Sequence, residues 1–331
     1  MLPGESLQVP TLLALIVATF GTLAACTLSF AYLRRVRVER PAIGTFNGRD
    51  IVILFVFIVG LPLLYLAVPL VWLLIFLGIT LSSALAIGLR PLLGPSSVWL
   101  VVGTLIGLDV WMARTMLGTV LGWQLFWIVN SVLVVAAAVS ISNLYAQGGM
   151  RLKHVAWITL VLAVYDVVFT VVWPVTNYLA QRLIGYPLDP SVGFRWGIFN
   201  ATVGIGDLLV YSLFVILSFK AYGRAAAKIA MVTVVIFGVV VPALSPILFR
   251  VLIDARTDLI VPAQTAFGPV AFVLYLWFRR RFGRERTMAE FLAGPDVPHP
   301  EPTPVLVRNE DAAEPVTAPP LAYLSKPEHN R

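Results

Sequence analysis

Residues 155–178 read VAWITLVLAVYDVVFTVVWPVTNY, and Asp166 is the only charged residue in the stretch. A helix of that length reaches about 36 Å at 1.5 Å per residue, enough for a hydrocarbon core of about 30 Å. A carboxylate at such a depth costs at least a few kcal/mol unless it is paired, wet or protonated, so it marks function. The same condition recurs in the next apolar stretch, at Gly204-Ile205-Gly206-Asp207. The rest of the chain agrees with a bilayer as solvent. It is 59% hydrophobic and 12% charged, with a mean hydropathy of +0.89, where a soluble domain carries about 25% charged residues. The apolar stretches are long and nearly charge-free, which predicts helices rather than the short alternating segments of a barrel. The expected fold class is therefore an all-α, multi-pass integral membrane protein.

Nine spans are predicted, near 10–33, 51–68, 70–89, 97–113, 120–145, 155–178, 198–219, 228–250 and 260–278. The run 51–89 is divided because one helix of its length would reach about 58 Å, twice the hydrocarbon thickness, and Pro62 and Pro69 offer turns. With the N-terminus outside, 16 of the 24 Lys and Arg fall in inside connections and 5 outside; the other three lie in the far tail. That asymmetry predicts N-out and C-in with an odd number of spans. The first span has its basic cluster after the apolar run rather than before it, so a retained anchor is expected. From about 285 the chain becomes proline-rich, with nine prolines from Pro295 to Pro327. Such a composition predicts a disordered cytoplasmic tail. The expected organisation is scaffold helices 1–5 over 1–150, catalytic helices 6–9 over 151–284 and the tail over 285–331. A prokaryotic plasma membrane suits so compact a chain.

Composition excludes several chemistries. Cys26 is the only cysteine, and two of the three histidines, His299 and His329, lie in the tail, so no metal site or cofactor is expected. The basic excess follows topology rather than nucleic acid. No internal repeat is present, which argues against a transporter of inverted repeats.

The two aspartates remain. Asp166 lies 11 residues into its predicted span, about 16 Å, leaving about 13 Å to the outer edge. Asp207, nine or ten residues into an antiparallel span, lies about 14 Å from that edge. Two carboxylates at one level in a low-dielectric site cannot both ionise cheaply, and such a pair shares one proton. One member then takes a proton from water and the other polarises an amide carbonyl. Gly204 and Gly206 strip side chains from the helix face, so that a helix or an extended substrate can approach. Tyr165 either donates a hydrogen bond near the site or packs. The competing reading is of two unconnected structural aspartates, and Asp109, near Arg114, is read as structural: snorkelling or salt-bridged.

Tyr165-Asp166 and Gly204-Ile205-Gly206-Asp207 resemble the two signature motifs of the presenilin and signal peptide peptidase family, the intramembrane aspartyl proteases of the GxGD type. The resemblance covers about 155–278. The family's third motif is Pro-Ala-Leu near the start of the ninth span. A literal Pro242-Ala243-Leu244 falls in the eighth predicted span, whereas the ninth opens with Pro262-Ala263-Gln264. Letters favour the former and position the latter. The resemblance implies hydrolysis of peptide bonds within single membrane-spanning segments or signal-peptide remnants in the bilayer, by an aspartate pair and water. N-out, C-in orientation resembles the signal peptide peptidase branch, and implies substrates whose N-terminus is inside. The connection over 180–197, with Pro187 and Pro190, is a candidate seat for the substrate's extended end. Alternatives from other classes are a proton-coupled transporter and a non-catalytic membrane binding protein using the same aspartates. A prepilin peptidase is disfavoured, because Leu208-Leu209-Val210 follows Asp207 where a basic residue is expected.

Overall fold

The computed structural model describes residues 8–38, 48–173, 178, 182–183, 185–193, 202–245 and 262–294. The proline-rich tail beyond 294 and Asn200, the first residue of an Asn-Ala-Thr sequon, lie outside them.

Helices follow the apolar runs: α1 Gln8–Arg35, α2 Gly48–Ala67, α3 Leu70–Leu89, α4 Pro95–Thr115 and α5 Val120–Gln147. The division of 51–89 holds. Its turn is at Pro69, which caps α3, while Pro62 lies inside α2. Pro95 sits in the first turn of α4, where its missing N–H removes nothing the helix needs. The Thr119 hydroxyl caps α5 by accepting from the Gly122 N–H at 3.0 Å. Then come α6, Leu152–Val167, with a π-helical continuation at Val168–Val172, and α7, Ile205–Tyr222. Helix α8, Arg224–Thr233, continues through π turns at Val234–Val240. Helix α9 is Ala263–Phe282 and α10 is the short Met288–Leu292. Gly223 separates α7 from α8 at φ 90°, a left-handed value that a side chain resists.

Among the described residues, seven of these, α1 and α3 to α8, are long and apolar enough to cross a membrane by length and composition. In α9, Gln264, Pro269 and the terminal Arg279, Arg280 and Arg281 dilute an apolar middle. The protein is a nearly all-helical, multi-pass membrane protein.

One predicted span starts elsewhere. The helix expected from 198 begins at Ile205, and Thr202–Gly204 is instead a strand, β2. It pairs antiparallel with β1, Ser191–Gly193, in the register Ser191 to Gly204. β-Branched Thr202 and Val203, followed by two glycines, favour extended chain over a helical start.

Helix α7 is the axis of the bundle. Every side chain from Val210 to Tyr222 is buried, among α1, α5, α6 and α9. Its apolar residues encircle it, as a central helix requires. Because lipid is as apolar as leucine, the bundle is held by close packing and interhelical hydrogen bonds. Phe267 of α9 packs edge-on against Tyr211 and Phe214 of α7, with ring centroids 4.9 and 5.5 Å apart. The Tyr211 hydroxyl donates to the Gly238 carbonyl at 2.9 Å, and Tyr32 to that of Gly88 at 2.6 Å.

Candidate active site

Two helix starts meet α6 just before its π-helical continuation. Asp166 lies in the last turn of α6, Asp207 in the first turn of α7, and Gln264 is the second residue of α9, after its cap Pro262. The Gln264 backbone N–H is one of the donors that a helix leaves free at its N-terminus. It donates to Asp166 Oδ2 at 3.0 Å, while Gln264 Nε2 donates to Asp207 Oδ1 at 2.7 Å. One glutamine therefore spans both carboxylates. Both acids sit at the positive ends of helices, Asp207 on α7 and Asp166 against α9, where the macrodipole favours negative charge.

Asp207 is the third residue of α7, not the ninth or tenth of a span, and it meets Asp166 because the helix starts late. The motif glycines border open space. A Cβ on Gly206 would meet nothing within 4 Å, and one on Gly204 would lie 3.7 Å from Asp207 Oδ2. Among the described residues no helix is packed onto Gly206, and the face beside Asp207 is open. The aspartates are themselves only half-buried. Tyr165 packs: its ring stacks on Phe169 at 4.4 Å, and Phe169 stacks on Trp173.

Of the two third-motif candidates, Gln264 meets the aspartates. Among the described residues Pro242-Ala243-Leu244 makes no hydrogen bond to either, and the Pro242 carbonyl accepts from the Ser245 hydroxyl at 2.7 Å.

Two supporting sets were not legible as such. Asp109, read as structural beside Arg114, is fully buried and accepts the Leu188 N–H at 2.7 Å. Leu188 has φ 64°, a strained value for a branched residue. Asn130, also fully buried, donates to the carbonyls of Asp189 and Ser191, both at 2.9 Å. Helices α4 and α5 thus hold the chain that becomes β1, which pairs through β2 with Gly204. Asn130→Leu is expected to destabilise the fold by about 1–3 kcal/mol per carbonyl left unpaired, read as a lower thermal midpoint in detergent.

The second set lies at the far ends of the same three helices. The Glu285 carboxylate accepts the N–H groups of Leu152 (2.9 Å) and Lys153 (3.0 Å) at the start of α6. Arg286 donates to the carbonyls of Ala221 and Phe219 at the end of α7, each at 3.3 Å. The dipeptide after α9 therefore places an anion on one helix N-terminus and a cation on another's C-terminus. Lys220 donates to the carbonyls of Ala146 and Met150. Burial pushes the Glu285 carboxyl above its ordinary value of 4.5, against the pull of those N–H donors and Lys220. A folded value above the unfolded one means stability falls as pH rises from about 4.5 through the raised value. That part of the pH dependence of the thermal midpoint is expected to vanish in Glu285→Gln.

Compared with known proteins, the chain matches no family model, and no curated protein is similar to it. Among solved structures, one described as a presenilin family intramembrane aspartate protease aligns over 82% of this chain and 100% of its own, at 14% identity and a TM-score of 0.47. A likeness of that degree decides nothing about function.

Proposed function

We propose that the protein is an intramembrane aspartic endopeptidase, with Asp166 and Asp207 as its catalytic pair. The observation that carries the reading is the bridge of Gln264 to both carboxylates, which draws together two acids from separate helices beside an open face at Gly206. Paired, partly buried carboxylates within a membrane bundle are poorly explained as fold stabilisers, since each is costly there. As a dyad holding one proton, the ionised member accepts a proton from water and the protonated member donates to the scissile carbonyl. Pro262-Ala263-Gln264 takes the third-motif role, with Tyr165 packing behind Asp166. The finer picture is nine spans, N-out and C-in, with helices 6–9 as the catalytic part, acting on single membrane helices whose N-terminus is inside. A substrate helix must unwind to expose a peptide bond. The short β1–β2 hairpin leading into Gly204 offers an edge for the extended segment.

A peptide carrying a hydroxyl group in place of the scissile amide, with a photoreactive label, tests the reading. It is expected to label the purified wild type in liposomes and to block cleavage of a single-span reporter. Failure to label or inhibit, together with an uncut reporter, counts against the reading.

A further inference from the structure

Gln264 has one more polar atom than its bonds to the aspartates use. The residue is 2% exposed, and its Nε2 is committed to Asp207 Oδ1. A carboxylate oxygen there takes only a donor, which fixes the orientation of the amide. Its carbonyl oxygen, Oε1, is left buried with no hydrogen-bond partner. An unpaired buried acceptor is unfavourable, and the charged groups held by this residue, Asp166 on α6 and Asp207 on α7, are acceptors when ionised. The nearby Tyr211 hydroxyl already donates to Gly238. Among the described residues nothing donates to this oxygen, and hydrolysis brings in one molecule that can, water.

We propose that the Gln264 carboxamide is a third catalytic group, whose Oε1 accepts a hydrogen bond from the attacking water. This rests on the protease reading above. Of the two O–H bonds of the water, one gives its proton to the ionised aspartate and the other donates to Gln264 Oε1, so that a lone pair faces the scissile carbon. The C–O bond forms as the carbonyl π pair moves onto its oxygen, which takes the proton of the second aspartate. On collapse the C–N bond breaks and the amine takes the proton that the first aspartate accepted. A hydroxyl of the tetrahedral intermediate returns a proton to the second. Water has been added across the peptide bond and both carboxyls are restored. A leucine at 264 would keep the backbone N–H to Asp166 and lack this acceptor. Glutamines that orient attacking water are known from other hydrolases.

The test uses the full chain in liposomes with a single-span reporter. Gln264→Met keeps length and volume and the backbone N–H. It is expected to lower kcat roughly ten- to a hundredfold, to leave KM nearly unchanged, to lower the thermal midpoint modestly because the bond to Asp207 is lost, and to weaken binding of the hydroxyl-bearing peptide by a similar factor. Gln264→Glu can donate to Asp207 only while residue 264 is protonated, so its activity is expected to survive only on the acid side of the wild-type profile. Wild-type kcat in Gln264→Met, or a wild-type pH profile in Gln264→Glu, overturns the proposal. If Gln264→Met does not fold, the pH profile of Gln264→Glu decides; if neither folds, Gln264 is structural and the proposal fails. A wild type that cleaves no reporter overturns the protease reading itself, a result distinct from an active Gln264→Met.

Discussion

Asp166→Ala and Asp207→Ala are each expected to lower cleavage of a membrane-spanning reporter by about four orders of magnitude or more. Each removes one half of a unit that performs two coupled proton transfers, and members of such units are not additive. The double variant should therefore be little worse than either single one. The fold is expected to survive. Neither aspartate is fully buried as a residue, and each variant removes a charge that the bundle holds unfavourably. The thermal midpoint should thus stay level or rise, the usual mark of a residue kept for activity at the expense of stability. Two assays settle it: reporter cleavage by purified protein in liposomes, and thermal unfolding in detergent. Cleavage retained by a folded single variant removes the pair from the chemistry.

Gly268→Leu should have the next largest effect, for a steric reason. Even a Cβ at 268 would stand 2.3 Å from the Thr159 carbonyl oxygen and 2.9 Å from the Ala163 Cβ, both on α6. The obstacle is backbone, which cannot swing aside, so α6 and α9 must separate. Gln264 lies one turn before Gly268 and Asp166 one turn beyond Ala163, so the separation opens the 3.0 Å contact between them. The expected outcome is a fold weaker by about 1–3 kcal/mol or more and cleavage reduced at least tenfold. Gly206→Ala is the contrast. Its added methyl meets nothing within 4 Å, so the thermal midpoint should hold while KM rises, because the methyl stands at the open face beside Asp207. Equal stability losses at 206 and 268 would contradict this packing account.

Much of the fold was legible because the bilayer imposes a simple rule. Apolar runs became helices at nearly their predicted bounds, and Pro69 divided 51–89 where a turn was required. The start of α7 was not legible from hydropathy, since Thr202-Val203 is as apolar as a helix and only its β-branching and the following glycines speak for strand. That error placed Asp207 too far into its helix, yet the structure still brings the aspartates together at Gln264. Letters pointed to Pro242-Ala243-Leu244, and only the packing of α9 against α6 and α7 could place Gln264 between the acids. Asp109, Asn130 and the Glu285-Arg286 pair act through backbone groups far away in sequence. Pairwise charge counting does not find such partners, because a carbonyl or N–H leaves no mark in the sequence.

The most direct test is mass spectrometry of a single-span reporter incubated with the purified protein in liposomes in ¹⁸O-labelled water. The account predicts two fragments from one cut inside the span, with ¹⁸O in the new C-terminal carboxylate, and none with Asp166→Asn or Asp207→Asn. An intact reporter with the wild type, or the same labelled fragments from either variant, would contradict it.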